Sequence, residues 1–251
     1  MPKCDFCGKI GTNKQVIDPY NFPICLDCYK IILPHKPLLG HYMVYGIDPG
    51  DWRDGDEREW RQKMVTHRYG QKEHQIELLK EYGLKPHHTL LDIGCGWLRG
   101  GLLFIKYLDE GNYFAFDKEK WLLKCGIGGI NFENVCDKKP TIKYIENFDI
   151  SKFNLKFDYM LAQSVFSHIS PELVKLCIKN AVDWLKPDGI FLATFFRAEH
   201  ESTGSPHKNR SNEYTRATQS VEFYKSIKFA KIEYIGECGH PAGQHLLKIT
   251  K

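Results

Sequence analysis

Two constellations in this 251-residue sequence have the residue types and spacing of chemistry. The first is a set of four cysteines, Cys4, Cys7, Cys25 and Cys28, in the pattern C-x2-C-x17-C-x2-C. Two such thiolate pairs on tight turns build a tetrahedral shell for Zn2+. Gly8, just after the first pair, fits such a turn. Four thiolates close the shell, so the metal is expected to be structural, and a segment this short folds around it. His35 and His41 lie nearby as spare ligands. The second constellation is LLDIGCGWLRGG, starting at Leu90. Asp92 sits just before the glycines, and Gly94 and Gly96 permit a tight turn that a ligand can approach closely. Asp117 ends the next apolar run, 21 residues after Gly96, where a carboxylate can accept hydrogen bonds from ribose hydroxyls. The glycine spacing is G-x-G-x-x-x-G (Gly94, Gly96, Gly100), not the G-x-G-x-x-G of dinucleotide sites. An acid directly before the glycines faces a pyrophosphate poorly and a cationic amino-acid group well.

The elements that must hold these residues alternate along the chain. Strands are expected at 88–93, 112–117, 141–146, 157–162, 189–196, 229–235 and 245–250. Helices are expected at about 98–109, 119–135, 171–186 and 217–227. Short apolar strands each followed by a helix indicate a mostly parallel sheet covered on both faces. The last two strands are separated only by GECGHPAGQ, too short for a parallel crossover, so they should pair antiparallel. The fold class is therefore α/β: a doubly wound, mostly parallel seven-stranded sheet with an antiparallel C-terminal hairpin, plus a small N-terminal zinc-ribbon-like module. The division is 1–45 for the Cys4 module, 46–86 for a linker and helical segment, and 87–251 for the α/β domain. In the linker, Trp60, Met64, Ile76, Leu79 and Tyr82 suit a helix, with Asp54 or Asp56 to cap it. Residues 198–216 are polar and broken by Gly and Pro, so they are expected to form a loop acting as a lid.

In a doubly wound sheet, ligands bind at the carboxyl ends of the strands. Three histidine-bearing loops fall at that end. SVFSHIS after the fourth strand carries His168, RAEHE after the fifth carries His200, and GHPAGQ after the sixth carries His240 and Gln244. Histidine is well suited to take a proton near neutral pH. His168, then His240, then His200 is the order of candidates for a catalytic base. Each has a structural alternative: His168 as a cap for the helix starting at Pro171, His240 as support for its own turn. Arg99 could bind an acceptor anion or simply face solvent.

LLDIGCG followed by FAFD resembles the first motif and the ribose-binding acid of class I S-adenosylmethionine-dependent methyltransferases. The resemblance covers roughly residues 86–251. It implies that Gly94, Cys95 and Gly96 wrap the methionine and ribose portion of S-adenosyl-L-methionine. It also implies that Asp92 contacts the amino-acid end, directly or through water, and Asp117 the ribose. Asp149 in ENFDIS would lie near the adenine amine, with Ile150 at the ring. Gln163 and Ser164, ending the fourth strand with Ala162, would lie near the sulfonium. WLKPDGIFLATF resembles the usual entry to the fifth strand, with Pro187 and Gly189 making the turn. The fourth strand ends AQSVFSH, without the N/D-PPY pattern that positions a planar exocyclic amine, which counts against base or amide nitrogen acceptors. GCGWLRGG and GHPAGQ resemble methyltransferases associated with saccharide or small-molecule modification.

Composition narrows the partners. The formal charge of +4 and the lack of a long Lys/Arg run give no nucleic-acid arm. Residues 1–45 carry five Lys and three Asp, a balance of +2, which a zinc tetrathiolate of net −2 cancels. Such a module anchors phosphates poorly, so nucleic acid is not favoured. Nine cysteines, an odd number, with no secretion-signal pattern imply thiols and a cytoplasmic protein, and no apolar run approaches a membrane span. The expected function is methyl transfer to a small-molecule or saccharide acceptor at oxygen. The alternatives are an RNA or protein methyltransferase that docks substrate through the zinc module, and a non-catalytic cofactor-binding scaffold.

Overall fold

The computed structural model describes residues 73–204 and 216–251, apart from 120–121, 124–125, 127–129 and 131–134. It also gives the backbone of two short N-terminal strands, β1 (Gln15–Ile17) and β2 (Pro23–Cys25). These two pair antiparallel, with Gln15 opposite Cys25.

The strands that follow are β3 (Leu90–Ile93), β4 (Tyr113–Asp117), β5 (Thr141–Tyr144), β6 (Phe157–Ala162) and β7 (Leu185–Arg197). Then come β8 (Ser202–Thr203), β9 (Ala217–Gln219), β10 (Lys231–Glu237) and β11 (His245–Thr250). Residues 73–81 form a helix, α1. The others are α2 (Gly101–Tyr107), α3 (Pro171–Trp184) and α4 (Val221–Ser226). Between β4 and β5, Leu122, Leu123, Gly126 and Ile130 are helical and buried.

The main sheet runs β10-β11-β7-β6-β3-β4-β5. From β7 to β5 every neighbouring pair is parallel, whereas β11 lies antiparallel to both β7 and β10. A dinucleotide-binding sheet ends with its sixth strand beside the fifth, all parallel. Here the last strand in chain order inserts between them, as the short GECGHPAGQ connection requires.

Side chains alternate across each strand, so one strand feeds two cores. Leu91, Ile93, Met160, Ala162, Phe191 and Ala193 pack with Val174, Cys177, Ile178 and Ala181 of α3. Leu90, Tyr113, Ala115, Leu161 and Leu192 pack with Ile76 and Leu79 of α1 and with Leu102, Phe104 and Ile105 of α2. Asp92 shares the α1/α2 face with Leu90, which is why its carboxylate meets Tyr113 rather than the α3 core.

Several expectations are corrected. Pro187 and Gly189 do not make a turn before the fifth strand, because α3 ends at Trp184 and β7 begins at Leu185. The strand enters with an irregular register instead, Leu185 opposite Phe157 and Ile190 opposite Tyr159. A Cβ on Gly189 would lie 2.7 Å from Leu185 Cγ, so that packing excludes a side chain there. The expected helix at 217–227 opens as β9, and α4 starts only after Ser220. Residues 198–216 are not loop throughout. Ser202 and Thr203 pair with Thr218 and Ala217, and β9 pairs parallel with β7. Residues 205–215 lie outside the described residues, and so do Trp60 and Met64.

Candidate functional site

The strand order reverses between β3 and β6, and a cavity of about 690 Å³ opens beyond their carboxyl ends. That volume lies within the range of small-molecule and cofactor sites. The loops after β3, β4, β5 and β6 all contribute walls: Gly94 and Gly96, then Asp117 to Glu119, then Tyr144 to Phe148, then Gln163 to Val165 with His168 and Ile169.

Gly94 and Gly96 have φ of +67° and +57°. A Cβ on Gly94 would lie 2.7 Å from Val165 Cγ2, whereas one on Gly96 would meet no atom within 4 Å. Both positions therefore keep backbone exposed to a ligand for separate reasons, one steric and one conformational. Asp117 is held by two backbone donors. Its Oδ2 accepts from Gly96 N at 2.8 Å and its Oδ1 from Glu119 N at 2.8 Å. These bonds fix a carboxylate on the cavity wall and tie the glycine turn to the end of β4.

Asp92 is buried and accepts from the Tyr113 hydroxyl at 2.7 Å. Burial pushes its pKa up to about 7; the Tyr113 bond opposes the rise and the charge of Asp117 adds to it. It is not among the residues that line the cavity, and neither is Cys95. The Cys95 thiol faces Gly96 O at 3.7 Å, and burial drives its pKa well upward. A half-buried thiol with its pKa raised in this way is a poor nucleophile near neutral pH.

Asp149 and Ile150 also lie off the cavity lining. Asp149 precedes a short 3-10 helix and bonds the Ser151 hydroxyl, while Ile150 is buried in the α3-side core. Their neighbours Glu146, Asn147 and Phe148 face the cavity instead. Phe148 adopts a left-handed φ of +54°, which turns the chain at this point.

The turn after β6 is the most heavily tied part of the site. Ser164 has φ +59°, a conformation that costs a non-glycine residue roughly 1–3 kcal/mol. A closed ring of hydrogen bonds holds it there. Ser164 N donates to Thr194 Oγ1 (2.8 Å), and Thr194 Oγ1 donates to Gln244 Oε1 (2.7 Å). Gln244 Nε2 donates to Ser167 Oγ (3.2 Å), and Ser167 Oγ donates to Ser164 O (2.8 Å). Thr194, Ser167 and Gln244 are all buried. The ring joins β7, the β6 turn and the loop before β11.

The three candidate histidines separate clearly. His168 lines the cavity, and its backbone N–H donates to Val165 O at 3.0 Å. It does not cap α3; the Ser170 hydroxyl does, accepting from Leu173 N. His240 is buried, with Nδ1 accepting from Ala242 N (3.1 Å) and Nε2 3.3 Å from Ser164 Oγ. The occupied Nδ1 lone pair assigns the ring proton to Nε2, which donates to Ser164. Burial lowers its pKa to about 4, with smaller contributions from His74 and Arg99. In this arrangement His240 positions Ser164 and has no lone pair to offer as a base. His200 is exposed beyond β7, off the cavity lining, and its carbonyl accepts from the Thr218 hydroxyl at 3.5 Å.

Gln163 lines the cavity, and both polar atoms of its buried amide lack a partner. Sequence reasoning missed His74, whose buried Nε2 is also unpartnered and whose ring lies edge-on 6.0 Å from that of His240. It also missed the roles of Thr194 and Ser167. Lone Thr and Ser residues within strand or loop patterns carry no signal of a network. The zinc-ligand candidates Cys4, Cys7 and Cys28 lie outside the described residues, and of Cys25 only the strand backbone is described. Among the described residues no group of His, Cys, Asp or Glu gathers as a metal site, and no helix is long and apolar enough to cross a membrane.

The fold is similar to that of solved structures that include S-adenosylmethionine-dependent methyltransferases. One is magnesium protoporphyrin IX methyltransferase of Synechocystis PCC 6803, solved with S-adenosylmethionine bound. Its TM-score is 0.58 at 12% identity, over 90% of this chain and 98% of that one. DesVI of Streptomyces venezuelae aligns with TM-score 0.54 and 13% identity, over 79% of this chain and 99% of its own. The S-adenosylmethionine-dependent methyltransferase SibL, in its apo form, gives 0.55 and 13%, over 78% of this chain and 60% of its own. No family model matches the chain. At these identities the likeness is one of fold.

Proposed function

We propose that this chain is an S-adenosylmethionine-dependent methyltransferase that methylates a small-molecule or saccharide acceptor at oxygen. The observation that carries the reading is the cavity at the strand-order reversal, where Asp117 is aimed by Gly96 and Glu119. The lining fits the cofactor. Gly94 and Gly96 leave backbone bare for close approach, Asp117 supplies an acid for ribose hydroxyls, and Phe148 and Ile145 supply apolar wall for a planar base. Magnesium protoporphyrin IX methyltransferase shares the fold and is named for a small-molecule acceptor.

When bound, S-adenosylmethionine supplies a methyl group on positively charged sulfur, already activated for in-line displacement. The residues of this chain then have to bind, orient and exclude water. Gly94 and Gly96 would cradle the nucleoside, Asp117 would hold its diol, and Gln163 with Ser164 would stand at the reacting end. His168 is the candidate group to take the proton of an acceptor hydroxyl, being the one of the three histidines on the cavity wall. Asp92 lies off the cavity lining and would act on the amino-acid end through water.

The N-terminal module is proposed to hold structural Zn2+ through Cys4, Cys7, Cys25 and Cys28. What supports the reading is the cysteine spacing, with the paired strands β1 and β2 falling between Cys7 and Cys28 in the chain.

Calorimetry with S-adenosylmethionine and with nicotinamide dinucleotides tests the cofactor, and transfer of a labelled methyl group to the low-molecular-weight fraction of a cell extract tests the acceptor. Saturation by S-adenosylmethionine with label in that fraction supports the reading. No binding of S-adenosylmethionine, or label confined to RNA or protein, refutes it. Metal analysis of the purified chain should find zinc, lost when the cysteines are replaced by serine.

A further inference from the structure

Three buried side-chain polar atoms among the described residues have no hydrogen-bond partner: His74 Nε2, Gln163 Nε2 and Gln163 Oε1. Buried polar atoms are nearly always paired, so each such exception requires an explanation. These three are not scattered. Gln163 immediately precedes Ser164, Ser164 bonds His240, and the His240 ring meets the His74 ring edge-on at 6.0 Å. His74 Cε1 would also lie 3.9 Å from a Cβ on Gly239, within the same loop. The loose ends therefore lie on either side of one pair, His240–Ser164: Gln163 and Ser164 line the proposed cofactor cavity, whereas His74 reaches it only across His240, off the lining.

We infer that His74, Gln163 and Ser164 form the acceptor's recognition site, built for a neutral polyhydroxylated molecule such as a sugar or polyol. The inference rests on the methyltransferase reading and deepens it. The donor and acceptor inventory gives the ligand class. Gln163 offers one amide donor and one carbonyl acceptor, and His74 offers a ring nitrogen. Ser164 Oγ receives the Nε2 proton of His240, which leaves its own hydroxyl hydrogen to donate. Hydroxyls both donate and accept and so match this mixed set, whereas a charged ligand would leave half of it opposed. Burial keeps His74 on the neutral side of its ordinary range, with the Glu81 charge opposing. The acids on the cavity wall, Asp117, Glu119 and Glu146, lie at or beyond the ends of β4 and β5, whereas Gln163 and Ser164 lie on the loop after β6.

A site kept unsatisfied for a ligand should be a weak point of the free protein. Replacing His74 or Gln163 with apolar residues of similar volume removes an unpaired buried group and should stabilise the fold. His74→Leu and Gln163→Met, in the full zinc-loaded chain, are expected to raise Tm by about 2–4 °C each. In the low-molecular-weight methyl-transfer assay both variants should lose at least 10-fold in rate, with S-adenosylmethionine affinity of His74→Leu within about 3-fold of wild type. Unlabelled sugars and polyols added to the wild-type assay should compete for label. A lower Tm in both variants would show that the two residues are structural and would overturn the inference. So would full transfer by both variants, or label passing only to carboxylates or amines. Absence of transfer by the wild-type chain would instead remove the methyltransferase reading, while the Tm comparison still tests whether the two side chains await a ligand.

Discussion

Replacing Thr194 with valine tests the ring that fixes the turn after β6. The side chains have nearly the same shape, so in a site with 0% exposure the change removes the hydroxyl and its hydrogen bonds. Two bonds disappear with it, the 2.8 Å bond from Ser164 N and the 2.7 Å bond to Gln244 Oε1. A buried group left unsatisfied costs about 1–3 kcal/mol. Gln244 is 3% exposed and bears that cost in full, whereas Ser164 N is half-buried beside the cavity and bears less. The sum is about 3 kcal/mol, equivalent to roughly 6–12 °C in Tm for a domain of this size. Urea unfolding should show the loss as a lower midpoint with unchanged m-value. Thr194→Ser keeps the hydroxyl and should lose only about 1 kcal/mol, the value of a buried methyl group. If valine costs no more than serine, the ring does not hold the turn and the argument fails.

Three further outcomes are expected. Asp117→Asn removes the charge from the two backbone bonds and from any diol, and should weaken S-adenosylmethionine binding by about 10- to 150-fold in calorimetry; a change below about 3-fold would release Asp117 from the ribose role. Gly94→Ala forces a side chain into a φ of +67° and against Val165, and chemical denaturation should show a loss of about 1–3 kcal/mol. Asp92 has a folded pKa of about 7 against 3.8, so the folded state binds more protons than the unfolded state between those values. Its stabilising contribution is full below about pH 3.8 and is lost as pH rises toward about 7, so wild type should fall relative to Asp92→Asn across that window; parallel pH profiles would place the Asp92 pKa near its ordinary value.

The sheet was legible because its strands are short apolar runs with clear punctuation, and the antiparallel ending followed from the length of one loop. The glycine turn at the end of β3 was legible because Gly94 and Gly96 mark positions of positive φ, and Asp117 because it ends an apolar run. Asp149 and Ile150 rest on analogy with a motif alone, whereas residues 146–148 line the cavity, the last of them with a left-handed φ. Burial of His240 was not legible, because the partners that consume its lone pair and its proton, Ala242 N and Ser164 Oγ, are set by the tertiary fold. Nor was the β8–β9 pairing, since Ser-Thr and Ala-Thr-Gln have no strand periodicity of their own and are ordered by the edge they join.

The position of β11 constrains how the molecule comes into being. It is the last of these strands to be synthesised, yet it lies in the interior, hydrogen-bonded on both sides. Until residues 245–250 have left the ribosome, β7 lacks its outer neighbour and β10 has no partner in the main sheet. Gln244 and His240 arrive just ahead of that strand, so the clasp on Ser164 closes only as the sheet does. A nascent chain halted before this point would carry the residues of the glycine turn but not the fastening of its opposite wall, so the turn after β6 should become ordered in one step with the pairing of β11 rather than gradually.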